Sequence, residues 1–184
     1  MLRLSGTLLL AALVCGLILA VVYKVTSPVI AEQKQILLEK SLQSVLPADS
    51  YRKNATAAEQ EFYEAQNKDG EIAGWCLPIS SKGYGGAIKL MVGVNKNGTI
   101  NGIQVLEHNE TPGLGSKICE IGYKQTEPAF LAQFKGKNIK DIKLVKKKTD
   151  TNIEAITGAT ISSKAVVDGV QKGVSEFLKT RDIR

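Results

Sequence analysis

Thr157-Gly158-Ala159-Thr160 sets two hydroxyl residues around a Gly-Ala pair, directly ahead of Ile161-Ser162-Ser163-Lys164. Glycine and alanine let a backbone come close to a bulky group. The residues that follow read as a helix from Ser162 to about Thr180 with a serine at its cap. Val166, Val170, Val174, Phe177 and Leu178 form its buried stripe. Unpaired N–H groups and the positive end of such a helix favour an anion beside Thr160. That is the chemistry of a phosphate seat with a hydroxyl in it. A tight turn entering an ordinary N-cap is written with the same residues.

A second unusual stretch is His108-Asn109-Glu110-Thr111-Pro112-Gly113-Leu114-Gly115, whose proline and two glycines dictate a fixed, tightly turned loop. His108 is the single histidine, and neither a serine nor a cysteine nucleophile stands beside it, which argues against a hydrolase. With three cysteines and no CxxC spacing, a protein-only zinc or iron–sulfur site lacks ligands. Cys76 and Cys119 read as buried free thiols, with a disulfide as the alternative in an oxidising compartment. Gly83-Tyr84-Gly85-Gly86 lacks the spacing and following helix of a dinucleotide fingerprint. Should the loops 108–115 and 157–160 meet, they would form a cleft with flat backbone walls. A planar aromatic ring carrying a phosphate tail would fit there.

The elements around these loops follow from hydrophobic pattern. Leu4 to Tyr23 is a run of 20 residues without a formal charge. At about 1.5 Å per residue it spans a bilayer's hydrocarbon core of about 30 Å. Ala20-Val21-Val22 fits a signal-peptide cleavage site poorly, so a retained single membrane helix is expected. Arg3 precedes the run and Lys24, Lys34 and Lys40 follow it, so loop charge does not orient it. Beyond Pro28 a second helical pattern, with Leu38, Leu42, Val45 and Leu46 on one stripe, runs to Pro47. Ala48 to Thr56 reads as a polar loop. Strands follow at 61–65 and 72–79 around Asn67-Lys68-Asp69-Gly70, and at 88–94 with strict alternation. After Asn95-Lys96-Asn97-Gly98, the returning strand slips phase at Asn101-Gly102, which suggests a bulge. Short helical turns are expected between Ser116 and Phe134, and a strand from Asn138 to Lys147. The fold class is α+β: a membrane helix, then an antiparallel sheet packed with helices. The boundaries read as anchor 1–25, helical stalk and linker 26–58, and ligand domain 59–184. The net charge of +6 is spread out and not interleaved with aromatics, which argues against nucleic acid.

At these residues the sequence resembles the FMN-binding domain family, the family of the G subunit of the Rnf electron-transport complex and the C subunit of the sodium-pumping NADH:quinone reductase. Thr157 to Thr160 with the helix behind it looks like that family's flavinylation motif. His108 through Gly115 looks like its second signature, and Gly83 to Gly86 like its glycine loop. The chain length is nearer the Rnf G subunit. The resemblance implies FMN joined through its phosphate, as a phosphoester, to the Thr160 side chain, installed by a separate FAD-dependent flavin transferase. It also implies a single-pass protein of the cytoplasmic membrane, with the flavin domain on the extracytoplasmic side. Such a protein relays electrons between other subunits of an ion-translocating ferredoxin:NAD oxidoreductase complex and is not an independent catalyst. Thr157, Gly158 and Ala159 would form the phosphate loop, and Ser162 and Tyr84 are also expected to bind the cofactor. Glu110, Thr111, Gly113, Leu114 and Gly115 would wall the ring, and His108 would either donate to the ring or brace its loop. The chain departs from the motif at Glu154, where the family usually has Asp. The competing reading is a membrane-tethered, non-redox module that binds a phosphorylated ligand reversibly.

Overall fold

A computed structural model describes residues 2–56, 60–145 and 152–181 of the chain. Two compact units divide it, residues 1–39 and 40–184. The first unit is helical throughout its described residues and belongs to α1 (Leu2–Val45). Its large apolar side chains, from Leu8 to Val25, point outward, and their mean hydropathy peaks at 2.6 over 18 residues. By length and composition this helix can cross a membrane. α1 continues through Pro28, where the sequence suggests two helices. The proline removes one N–H, and the Lys24 carbonyl loses its usual helical donor.

The second unit is built on a five-stranded antiparallel meander in chain order: β1 (Ser50–Ala55), β2 (Glu61–Gln66), β3 (Ile72–Lys82), β4 (Ala87–Asn95) and β5 (Ile100–Glu107). Leu77 and Ile79 of β3, and Ile88, Leu90, Val92 and Val94 of β4, face a single core. Opposite them lies α3 (Thr160–Thr180), which buries Val166, Val170, Val174 and Phe177. Each such side chain contributes about 1.5–3 kcal/mol on leaving water. Gly169 and Gly173 let α3 sit close, since a Cβ would lie 2.7 Å from Ser81 Cβ and 2.8 Å from Ile79 Cδ1.

The end of α1, within the second unit, is fastened to the other face of the sheet. Asn101 Nδ2 donates to the Val45 carbonyl at 2.7 Å, and the Tyr51 hydroxyl donates to that of Leu46 at 2.7 Å. Gly93 pairs with Gly102 and Val94 with Ile100, which leaves Asn101 as the expected bulge residue. Its side chain is thereby free to cap the helix.

Three expectations are corrected. The segment expected as a polar loop contains β1, an edge strand whose residues are mostly exposed, so no alternation marks it. The expected strand 138–147 is instead a 3-10 turn at Ile139–Asp141 followed by the two-residue β6 (Leu144–Val145). Lys146 and Lys147 lie outside the described residues. β6 pairs in parallel with β7 (Ile153–Glu154), directly ahead of the Thr157 loop. Finally, α3 starts at Thr160 rather than Ser162. The short helical stretches fall at Gly115–Ile118, as a 3-10 turn, and at α2 (Ala129–Ala132).

Candidate functional site around Thr160

Thr160 is the first residue of α3, and its side chain is exposed. The first helical bond runs from the Ser163 N–H to the Ala159 carbonyl, 2.9 Å, so the N–H groups of Thr160, Ile161 and Ser162 stand ahead of the ladder. Ala159 occupies the N-cap and cannot cap with a side chain. The serine expected at the cap sits instead inside the first turn, where Ser162 and Ser163 are both buried. Ser163 accepts from the Ile156 N–H at 3.0 Å and donates to the Ala159 carbonyl at 2.9 Å, closing the loop on itself.

The glycine loops do meet. Residues 156–159 form a turn closed by the Ala159 N–H on the Ile156 carbonyl, 3.0 Å, with Gly158 at φ +80° in its third position. Residues 111–114 form a matching turn, closed by the Leu114 N–H on the Thr111 carbonyl at 3.2 Å, with Gly113 at φ +72°. Glycine is the residue that position asks for. A Cβ on Gly158 would lie 3.5 Å from Leu114 Cδ2, so the two turns are neighbours. Leu114, Tyr84 and Ile161 are all exposed, at 48%, 71% and 56%. Ile161, adjoining Thr160, was not among the residues expected at the site. Its place on the first turn's outer side becomes evident only once α3 is known to begin at Thr160.

Beneath these loops lies Glu110, 5% exposed. Its Oε1 accepts from the Gly85 N–H at 2.9 Å, and its Oε2 accepts from the Ser162 hydroxyl. Gly115 and Gly83 lack a side chain where the carboxylate passes: a Cβ on Gly115 would lie 2.8 Å from Glu110 Cβ, and one on Gly83 would strike Glu110 Oε1. Gly85 is pressed on the Asn109 backbone in the same way. A carboxylate beside the first turn of a helix also gains about 0.3–1 kcal/mol from the helix dipole. Glu110 and Ser162, both expected at the site, are bonded to one another here.

His108 also turns inward. Its Nδ1 accepts from the Glu110 N–H at 3.2 Å, which assigns the ring proton to Nε2. That nitrogen lies 3.2 Å from Cys119 Sγ, whose thiol donates to the Ser116 carbonyl at 3.2 Å. These bonds tie His108 into its own loop. Burial, with the neighbouring Glu120 carboxylate, pushes the Cys119 thiol's pKa up, so it is not a thiolate nucleophile. Glu154 carries the main-chain N–H that donates to Gln133 Oε1 at 2.7 Å, which ties β7 to α2's end. Thr111, Pro112 and Gly113 are exposed on the loop's outer side. A groove of about 220 Å³ along β5, lined by Gly102, Gln104, Cys119 and Ile121 among others, does not include Thr160.

The family model for the FMN-binding domain matches residues 83–175, and that for the RnfG N-terminal region matches residues 1–45. The G subunit of the proton-translocating ferredoxin:NAD(+) oxidoreductase complex of Clostridium ljungdahlii is 39% identical over 173 residues, covering 94% of this chain and 89% of that one. The chain belongs to the FMN-binding domain family, among the G subunits of ion-translocating oxidoreductase complexes. The G subunit of the ion-translocating oxidoreductase complex of Escherichia coli K12 is 35% identical over 169 residues, 83% of this chain and 79% of that one. Among solved structures, NqrC of Shewanella oneidensis shares the fold with a TM-score of 0.55 at 21% identity, covering 78% of this chain and 73% of that one. The C subunit of the Na(+)-translocating NADH-quinone reductase of Parabacteroides distasonis gives a TM-score of 0.53 at 28% identity, with 66% and 62% covered.

The residues of this family member suit FMN on physical grounds. An exposed hydroxyl stands at a helix start that attracts phosphate, beside exposed apolar side chains and glycines that keep the surface flat.

Proposed function

We propose that this chain is the flavin-carrying component of an ion-translocating ferredoxin:NAD oxidoreductase complex, with FMN held as a phosphoester on Thr160. The single observation that carries the covalent reading is the exposed Thr160 hydroxyl at the first residue of α3, in a chain of this family. FMN accepts electrons and passes them on, while the protein positions the ring and tunes it. In the maturation step, Thr160 Oγ1 bonds to the flavin-side phosphorus of FAD. The bond joining the two phosphates breaks, AMP leaves, and the hydroxyl proton passes to solvent. No electrons are exchanged. A separate transferase performs this step.

The free N–H groups of Thr160, Ile161 and Ser162 would then face the remaining phosphate charge, and Leu114, Tyr84 and Ile161 would offer apolar contact to the ring. Thr157, Gly158 and Ala159 shape the phosphate loop, while Thr111, Gly113 and Gly115 shape the facing turn. A covalent tether keeps the cofactor where free flavin would be too dilute to rebind by mass action. The domain lies on the extracytoplasmic side, with α1 as its single crossing. A lone apolar helix offers no ion path, so translocation belongs to partner subunits.

The test uses protein coexpressed with its transferase. After denaturation and washing it stays yellow and fluorescent, and Thr160→Val loses the colour while keeping the far-UV spectrum of the sheet. Colour that washes out of the denatured wild type would favour a reversible phosphorylated-ligand module instead. Protease added to intact right-side-out cells degrades the domain if it is extracytoplasmic. Protection from protease would reverse that assignment.

A further inference from the structure

We infer that Glu110 is a positioning residue for modification of Thr160, acting through Ser162. This rests on Thr160 being the flavin acceptor and adds what makes that hydroxyl ready to react. Glu110 is nearly fully buried, yet among the described residues no cation is bonded to its carboxylate. Its two oxygens are taken by the Gly85 N–H at 2.9 Å and by the Ser162 hydroxyl. These donors come from positions 25 residues before it and 52 after it, so one side chain joins the 83–86 loop, the 108–115 loop and the first turn of α3. Its own N–H is fixed by His108 Nδ1 at 3.2 Å. Ser162 lies two residues past Thr160 in the same helical turn, so anchoring its hydroxyl sets the rotation of that turn. Among the described contacts, no side-chain hydrogen bond caps the start of α3, and Ala159 offers none. The pull of Glu110 on Ser162 is therefore the side-chain bond that ties this turn to the facing loop. The glycines agree: a Cβ on Gly83 or Gly115 would collide with Glu110. Burying a carboxylate among neutral donors carries a desolvation penalty that a mere loop filler would avoid. Its return is a fixed direction for the Thr160 oxygen as it bonds to the flavin-side phosphorus of FAD and AMP departs.

The experiment follows single-turnover labelling of full-length, unlabelled protein in detergent by purified flavin transferase with saturating FAD, read by intact mass. Glu110→Gln replaces one carboxylate oxygen with an NH2 group, so only one of the two donors keeps its acceptor, and Ser162→Ala removes the hydroxyl. Each is expected to slow labelling by about tenfold or more, since small displacements of a reacting group cost factors of that order. The double variant should be no slower than the slower single, because both break one connection. Hydrogen exchange in peptides covering 156–164 should quicken in both variants, while peptides from β3 and β4 stay protected. Should Glu110→Gln fail to fold, Ser162→Ala decides alone. Labelling of either folded variant within about threefold of wild type overturns the inference, as does a double variant slowed by the product of the two singles. Wild type that acquires no mass at all overturns the acceptor reading, and the role of Glu110 with it.

Discussion

Each end of α3 is built against a buried glutamate, and the two are compensated in opposite ways. At the C-terminal end, Glu64 of β2 takes the Arg181 guanidinium at 2.9 Å. That guanidinium lies 4.9 Å above the Phe62 ring and 5.4 Å above Trp75. Phe177 packs edge-on to both rings, at 5.0 and 5.7 Å. At the N-terminal end, the Glu110 carboxylate is met, among the described residues, by a peptide N–H and a hydroxyl. An ion pair wrapped in aromatic rings anchors a helix. A carboxylate held by neutral donors instead aligns loops that must still admit a ligand. The difference separates what keeps the domain folded from what prepares its site.

Substitutions can break or sharpen that contrast. The largest effect on stability is expected from Arg181→Ala, about 3 kcal/mol, because it strands Glu64 and removes the cation from the rings. Urea denaturation followed by Trp75 fluorescence measures it. Labelling of Thr160 well below the unfolding midpoint should keep its wild-type rate, and slowed labelling would mean the two ends are coupled. An alkaline titration tests the whole domain rather than either end. Burial pushes the Cys76 thiol up to about 12, against 9.0 for the exposed group. The unfolded chain therefore loses that proton first as pH rises. The stabilisation is complete below pH 9 and is lost between there and about 12, at about 1.4 kcal/mol per pH unit. Stability that stays flat from pH 9 to 11 would contradict this.

Gly85→Ala drives a methyl into the Asn109 backbone at the site end and should cost about 2 kcal/mol. It should also slow labelling, the opposite signature to Arg181→Ala. The smallest change is Gly158→Ala. The position has φ +80° but only one neighbour, Leu114 Cδ2 at 3.5 Å, so the cost is backbone strain of about 1 kcal/mol. A loss well beyond that in thermal unfolding would mean the turn is braced more tightly than its contacts indicate.

The same contrast explains what the sequence discloses. Wherever one face is buried regularly, pattern suffices: Ile88, Leu90, Val92 and Val94 announce β4, and the phase slip at Asn101 announces the bulge in β5. Val166, Val170, Val174 and Phe177 mark α3, and the glycines mark the two turns at 111–114 and 156–159. β1 stays hidden because an exposed edge strand has no face to bury. Pro28 suggests a break that α1 does not take. The start of α3 at Thr160 is obscured because Ser162 and Ser163 look like caps while their hydroxyls are spent on Glu110 and Ala159. Glu110 itself is legible as a loop residue but not as a brace, since its partners are distant in the chain. The bonds of His108 to Cys119 and the Glu110 N–H are likewise hidden in the sequence.

The central claim is that the outward hydroxyl opening α3 bears the flavin. Mass analysis of the tryptic peptide between Lys148 and Lys164, from protein matured with its transferase, tests it directly. The account predicts a peptide heavier by one FMN less one water, with fragmentation placing the addition on Thr160. A peptide at its bare amino-acid mass, or an addition on Thr157, would contradict it.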